Sequence, residues 1–219
     1  MTATEPAGED QTPAPRVRAR RVAVWSLVGV AAFIILLDQL TKHFATEELT
    51  DRGPVRILGG LVYLSLIRNS GAAFSLASGH TWIFPLIALA VLAWITWMAF
   101  KLRSMPWAIA LGLVAGGALG NFIDRLFRAP GPFQGHVVDM ISLFAPYGEK
   151  FAVFNIADSA LSCGVVLAII LEFSGRQRDG TRIPLRKAKT AAGKDDSAGK
   201  TDDPDSGTAG DGAPGSGDK

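Results

Sequence analysis

Four runs with little or no charge, at residues 22–37, 82–100, 107–123 and 152–173, limit this chain to a membrane fold. A helix rising about 1.5 Å per residue needs about 20 residues to cross a hydrocarbon core of roughly 30 Å. Residues 82–100 supply 19 without a charge, and 152–173 carry only Asp158 and, near the end, Glu172. The run at 107–123 is a little short, but its glycines and alanines permit close helix packing. Four crossings are predicted. Charged residues make up 19% of the 219, against about 25% in soluble domains, and they crowd into the two ends.

Lysine and arginine set the orientation, because cytoplasmic segments carry the excess. With the N-terminus inside, the inner segments hold Arg16, Arg18, Arg20 and Arg21, then Lys101 and Arg103, then Arg176, Arg178, Arg182, Arg186, Lys187 and Lys189. The outer loops hold Lys42, Arg52, Arg56, Arg68, Arg125, Arg128 and Lys150. Both termini are therefore expected in the cytoplasm. Asp38-Gln39 follows the first run where a cleavage site would need small residues, so that run reads as an uncleaved anchor.

Residues 1–15 and the tail from Thr190 are polar and rich in Pro, Gly or Ser, which predicts disorder. The expected divisions are a cytoplasmic tail with its basic flank (1–21), a four-helix domain (22–175) and a basic, then disordered, tail (176–219). The basic flanks border apolar runs rather than an aromatic-studded basic domain, which argues against nucleic acid as a partner. Cys163 is the only cysteine, which excludes an internal disulfide and a cysteine-based zinc site. Within its apolar run it reads as a small residue packed between helices.

The first outer loop, 43–80, is too long to be a simple connector. Within it, VRILGGLVYLSLI (55–67) is apolar and β-prone and is broken by Gly59-Gly60, as in two short strands about a turn. The fold class is an all-α membrane protein, four transmembrane helices with a small extracytoplasmic β-layer on the membrane surface.

Helix direction then gathers the polar residues. The first and third helices run outward, carrying Asp38 and Lys42, and Asn121, Asp124 and Arg125, to their outer ends. The fourth runs inward, so Asn155 and Asp158 stand in its first turns at the same face, and Asp139 lies in the outer loop before it. Asp38 and Asp124 read equally well as interfacial anchors or helix caps, and Asp124-Arg125 as a local ion pair. Asp158 fits that reading poorly, since it lies inside an apolar run. An ionised aspartate costs roughly 2.5–3.5 kcal/mol at a helix centre and less nearer the interface, but the cost still calls for a reason. Two carboxylates held close together share one proton. The ionised one takes a proton from an attacking water while the protonated one polarises a carbonyl. Spacing alone does not bring Asp139 to Asp158.

Five blocks in order carry a resemblance: DQLTK (38–42), RNSGAAF (68–74), GALGNFIDR (117–125), GHVVD (135–139) and FNIADS (154–159). On them the chain resembles the lipoprotein signal peptidase (signal peptidase II) family. The resemblance implies an aspartic endopeptidase of the bacterial inner membrane that removes the signal peptide of diacylglyceryl-modified prolipoproteins. The cut falls just before the lipidated cysteine. It places the catalytic pair at Asp139 and Asp158 and polar site positions at Asn69, Gly71, Asn121, Arg125 and Asn155, with Asp38, Lys42 and Asp124 supporting. It implies no cofactor and no metal. The partners are lipid-modified substrates and membrane lipids, and the self-contained site implies a monomer. FRAPGPFQ (127–134) is longer than the family pattern and holds two prolines, which predicts a bulged loop. The two polar ends are also additions to that pattern.

Two other classes fit parts of the pattern. A metal-dependent membrane hydrolase would use His136 and Asp139, three residues apart, with Asp124 and Asp158, although no HExxH is present. A transporter or scaffold would use the carboxylates to bind ions. Transporters tend to show repeats and broken helices at the midplane, whereas here the charges lie to one side and no repeat is visible.

Overall fold

The computed structural model describes residues 15–71 and 82–183. Expectations for residues 1–14, for 72–74 of the second block, and for Arg186, Lys187, Lys189 and the tail lie outside the described residues. The chain clusters into units 1–182 and 183–219, and the first contains every element below.

Four helices build it: α1 (Pro15–Leu49), α2 (Ile83–Ala99), α3 (Met105–Phe127) and α4 (Ile156–Phe173). Three of them, α1, α3 and α4, are long and apolar enough to cross a membrane, and α2, at 17 residues, is shorter. α1 outruns its apolar segment at both ends, taking in the four arginines at its start and residues 43–49 at its finish. Its buried positions are Ala23, Leu27, Ala31, Ile34, Asp38, Lys42, Ala45 and Leu49. They step by four, four and three, an 11-residue repeat of about 3.67 residues per turn that keeps one stripe facing inward. Trp25, Phe33, Leu36 and Phe44 stand exposed on other faces, as lipid-facing residues do.

α3 is the central helix and packs on the other three. Gly112, Gly116 and Gly120 recur every fourth residue along its contact with α1. A Cβ at Gly112 would stand 2.8 Å from Val30 Cβ, and one at Gly116 would stand 2.8 Å from Ile34 Cβ. Gly117 meets the Ala157 carbonyl of α4, and Gly164 of α4 returns the fit against Val114. Such small-residue seams let backbones approach where lipid offers no hydrophobic drive. Cys163 is exposed, contrary to the packing expected of it, because the buried stripe of α4 runs through Ala157, Ala160, Gly164 and Leu171.

Residues 55–67 do form two strands about Gly59-Gly60, β1 (Val55–Ile57) and β2 (Val62–Asn69), and β2 runs past the expected end. A third strand, β3 (Val137–Leu143), completes an antiparallel sheet of order β1-β2-β3. Asp139 therefore sits on a strand and not in a loop. Leu64 pairs with Ile141, but Ile67 pairs with Asp139, so a bulge interrupts β2 between them. The sheet rests on one end of α1 through a cluster of Ala45, Leu49, Val138 and Met140. On its free side β3 exchanges backbone bonds with Phe154: Ile141 N–H donates to the Phe154 carbonyl at 2.8 Å, and Phe154 N–H donates back at 2.9 Å.

Candidate active site

The Phe154 bridge brings the two motif aspartates together. Asp139 lies two residues before Ile141 on β3, and Phe154 leads directly into Asn155, the N-cap of α4. Asn155 and Asp158 form a reciprocal cap. Asp158 N–H donates to Asn155 Oδ1 at 2.9 Å, and Asn155 N–H donates to Asp158 Oδ2 at 3.1 Å. Two of the helix's otherwise unpaired donors are satisfied in this way, and the Asp158 carboxylate is held over the N-terminal turn.

Each aspartate oxygen accepts a hydrogen bond. Asp139 Oδ1 accepts from Asn155 Nδ2 at 2.7 Å and Oδ2 from Asn69 Nδ2 at 2.9 Å. Asp158 Oδ1 accepts from Asn121 Nδ2 at 2.7 Å. Asn69 is held in turn by Gly71, whose N–H donates to its Oδ1 at 2.7 Å. Gly71 has φ 106°, and a Cβ there would stand 2.6 Å from the Phe84 ring, so glycine is required on both counts. Asp139 is 2% exposed. Burial pushes its carboxyl up to about 6, the Asn69 and Asn155 amides opposing and the charge of Asp158 adding. Both aspartates line one cavity of about 280 Å³, whose apolar wall includes Phe84, Ile87, Val91, Phe122 and Leu161.

Beneath the pair lies a buried charge cluster. The Lys42 ammonium is fully buried and uses its three donors on Asp38 Oδ2 (2.8 Å), Asp124 Oδ2 (2.9 Å) and Asn121 Oδ1 (3.0 Å). Asp38 Oδ1 accepts from the Ala157 N–H at 3.0 Å, which ties α1 to the start of α4. Asp124 accepts from Val138 N–H, Gln39 Nε2 and Arg128 Nε, the last at 2.7 Å. Two carboxylates are thus balanced by two cations, as burial demands. Asp38 and Asp124 are fully buried rather than interfacial anchors. Arg128, four residues on and on the same helix side, replaces Arg125 as the salt-bridge partner of Asp124. Arg125 instead donates from Nη1 to the Gly135 carbonyl at 3.1 Å and lies 5.2 Å from the Phe84 ring centroid.

Of the ten residues singled out from the sequence, eight thus fall in the dyad, its amides or the cluster below, while Gly71 holds Asn69 and Arg125 lines the cavity beside Phe84. Gln39, Arg128 and Phe84 are additions. Arg128 was signalled by its four-residue spacing from Asp124, whereas Phe84 sits in a uniformly apolar helix that gives no signal. Among the described residues, no three His, Cys, Asp or Glu side chains are grouped so as to hold a metal.

The profile of a family described as Signal peptidase (SPase) II matches residues 30–174. The lipoprotein signal peptidase of Streptomyces coelicolor is 52% identical over 162 residues, covering 74% of this chain and 76% of that protein. That of Mycolicibacterium smegmatis is 43% identical over 196 residues, covering 89% of this chain and 80% of the relative. A bacterial membrane enzyme solved by the in meso method at 1.9 Å resolution is 31% identical and superposes with a TM-score of 0.59, over 68% of this chain and 93% of that one. The match runs from α1 through the sheet to the end of α4, and on that ground the chain belongs to the signal peptidase II family.

Proposed function

We propose that this protein is a membrane-embedded aspartic endopeptidase that removes the signal peptide from diacylglyceryl-modified prolipoproteins, cutting before the lipidated cysteine. Asp139 and Asp158 are its catalytic pair. The observation that carries this reading is their meeting in one apolar-walled cavity, with every carboxylate oxygen held by an N–H donor.

The two environments divide the work. Asp158 sits on the N-terminal turn of α4, where N–H donors and the helix dipole favour negative charge. Asp139 is the more buried and holds its proton up to about pH 6. Ionised Asp158 takes a proton from water as its oxygen bonds to the scissile carbonyl carbon, and Asp139 donates a hydrogen bond to the carbonyl oxygen. Collapse of the tetrahedral adduct breaks the C–N bond, and the proton on Asp158 passes to the leaving nitrogen. Asn69, Asn121 and Asn155 keep both carboxylates aimed into the cavity. The wall of Phe84, Ile87, Val91, Phe122 and Leu161 receives apolar parts of the substrate.

The domain crosses the bacterial inner membrane four times. α2 at 17 residues spans about 26 Å, which a locally thinner bilayer or flanking residues accommodate. The arginine and lysine bias puts both termini in the cytoplasm and the sheet end outside, where the dyad meets water. The peptidase domain is 22–175, flanked by tails 1–21 and 176–219, and it acts as a monomer among membrane lipids.

The test uses a synthetic diacylglyceryl-modified precursor peptide and purified protein in detergent. The wild type releases the signal peptide at the bond before the lipidated cysteine, while Asp139→Asn and Asp158→Asn each fall by about 10²–10⁴-fold. Near-normal turnover in either variant sinks the assignment.

A further inference from the structure

On the reverse face of the sheet from Asp139 lies a second cavity, of about 310 Å³, lined by Arg68, Arg128, Ala129, Pro130 and His136. Its lining holds two guanidinium groups and an imidazole and no carboxylate. Strand alternation explains the separation, since Asn69 faces the dyad and its neighbour Arg68 therefore faces away. Arg68 is exposed and, among the described residues, makes no side-chain hydrogen bond or ion pair. Arg128 gives its Nε to Asp124, and among the described residues its terminal nitrogens have no further partner.

Three residues lining this cavity, Arg128, Ala129 and Pro130, belong to the stretch 127–134 that departs from the family pattern. It is pinned in place by Gly135 N–H on the Arg125 carbonyl at 3.1 Å and His136 N–H on the Ala129 carbonyl at 3.0 Å. The same stretch exposes two aromatic rings, Phe127 at 77% and Phe133 at 43%. Phe133 holds φ 63°, a left-handed conformation that a bulky residue rarely adopts, and it shows its ring to the surroundings instead of yielding to glycine. Phe127 ends a helix of spanning length, and Arg128 is its C-cap. Arg128 therefore stands where a crossing leaves the hydrocarbon and lipid phosphates begin.

We propose that this pocket binds the phosphate of a phospholipid headgroup, with Arg68, Arg128 and His136 as donors and with Phe127 and Phe133 against the acyl side. It rests on the membrane placement proposed above and is independent of the peptidase chemistry. Guanidinium groups suit the ligand because their planar donors match phosphate oxygens.

The experiment titrates the full chain, in uncharged maltoside micelles, with short-chain phosphatidylglycerol and separately with inorganic phosphate, following the thermal-unfolding midpoint. Phosphatidylglycerol raises the midpoint saturably, and inorganic phosphate at the same concentrations does not. Arg68→Gln weakens half-saturation about tenfold, as expected for loss of a charge-assisted contact, and Phe133→Ser weakens it as well. Unfolding is read rather than cleavage, so a negative result is separable from failure of the peptidase assignment. Equal half-saturation in the wild type and both variants overturns the proposal. So does an equal rise with inorganic phosphate, which would assign the pocket to a free anion.

Discussion

Lys42 and Asp158 are joined by a single side chain, Asn121, which accepts from the ammonium at 3.0 Å and donates to the carboxylate at 2.7 Å. An ammonium can only donate, so the Asn121 carbonyl is committed to Lys42 and its NH₂ group to Asp158. Asn121→Asp keeps an acceptor for Lys42 but sets an oxygen against Asp158 where a donor stood. The variant is expected to insert normally and to cleave lipidated precursor about 10²-fold more slowly, the scale of losing one aimed donor. A single-turnover assay in detergent, normalised to folded protein, measures this.

Lys42→Met leaves Asp38 and Asp124 buried with Arg128 as the one remaining cation of the cluster. Breaking a buried pair from one side costs about 3–5 kcal/mol, so yield and unfolding midpoint should both drop sharply. Arg52→Gln removes an exposed pair with Glu48 and is expected to change little. Similar midpoints for the two variants would contradict the cluster's importance.

The pH dependence follows from Asp139. Its carboxyl titrates at about 6, above the usual 3.8, chiefly because it is buried. A rate that needs this proton is present below pH 6 and is lost as pH rises through it. Stability moves the same way: a carboxyl with a raised folded pKa stabilises the fold while protonated, and that contribution is lost between about pH 3.8 and 6. The Asn69 amide lowers this pKa, so Asn69→Ala should shift the falling limb of kcat/KM to higher pH while reducing its maximum. A limb that stays put, or moves to lower pH, refutes the role given to Asp139.

Gly116→Val places a branched side chain where a single Cβ already stands 2.8 Å from Ile34 Cβ and 3.0 Å from the Ala31 carbonyl. Overpacking of this kind costs about 1–3 kcal/mol, which a lowered midpoint would record. Gly29→Ala, with nothing within 4 Å of its added Cβ, serves as the neutral control.

Reporter fusions check the orientation. Those after Arg103 and Arg178 are expected to read cytoplasmic, and those after Gly53 and Gly131 extracytoplasmic. An outside reading at Arg178 would put the dyad on the wrong face.

Much of the candidate site was legible because Asp38, Lys42, Asn121, Asp124, Arg125 and Asp158 are polar residues at the ends of helices that the apolar runs outline. Asp38 and Lys42 stood out as polar residues directly after an apolar run and as part of the block DQLTK. β3 was not legible. It pairs with β2 some 70 residues away, and its central residues Met140 and Ile141 resemble any short apolar stretch. The bulge after Leu64 further hides β2, because the positions that share a face with Asp139 change from even to odd numbers along one strand. Phe154 was quoted only as part of a block, yet its backbone bridge to Ile141 is what sets Asp139 beside Asp158. Asp124 was paired with its sequence neighbour Arg125, but adjacent helical residues diverge by about 100° while those four apart align.

The buried cluster also bears on how the chain enters the bilayer. α1 is made before α3, and until they meet neither can use the other's charges. Each carries its own counter-ion one turn away: Asp38 with Lys42 on α1, and Asp124 with Arg128 on α3. Each helix can thus be handed to the membrane with its polar end locally neutral, which softens the cost of bringing lone charges toward the hydrocarbon. Only when the glycine seam closes does Lys42 reach across to Asp124 at 2.9 Å. Assembly of the peptidase domain in this sense adds one shared ion pair between two helices that keep the partners they were inserted with.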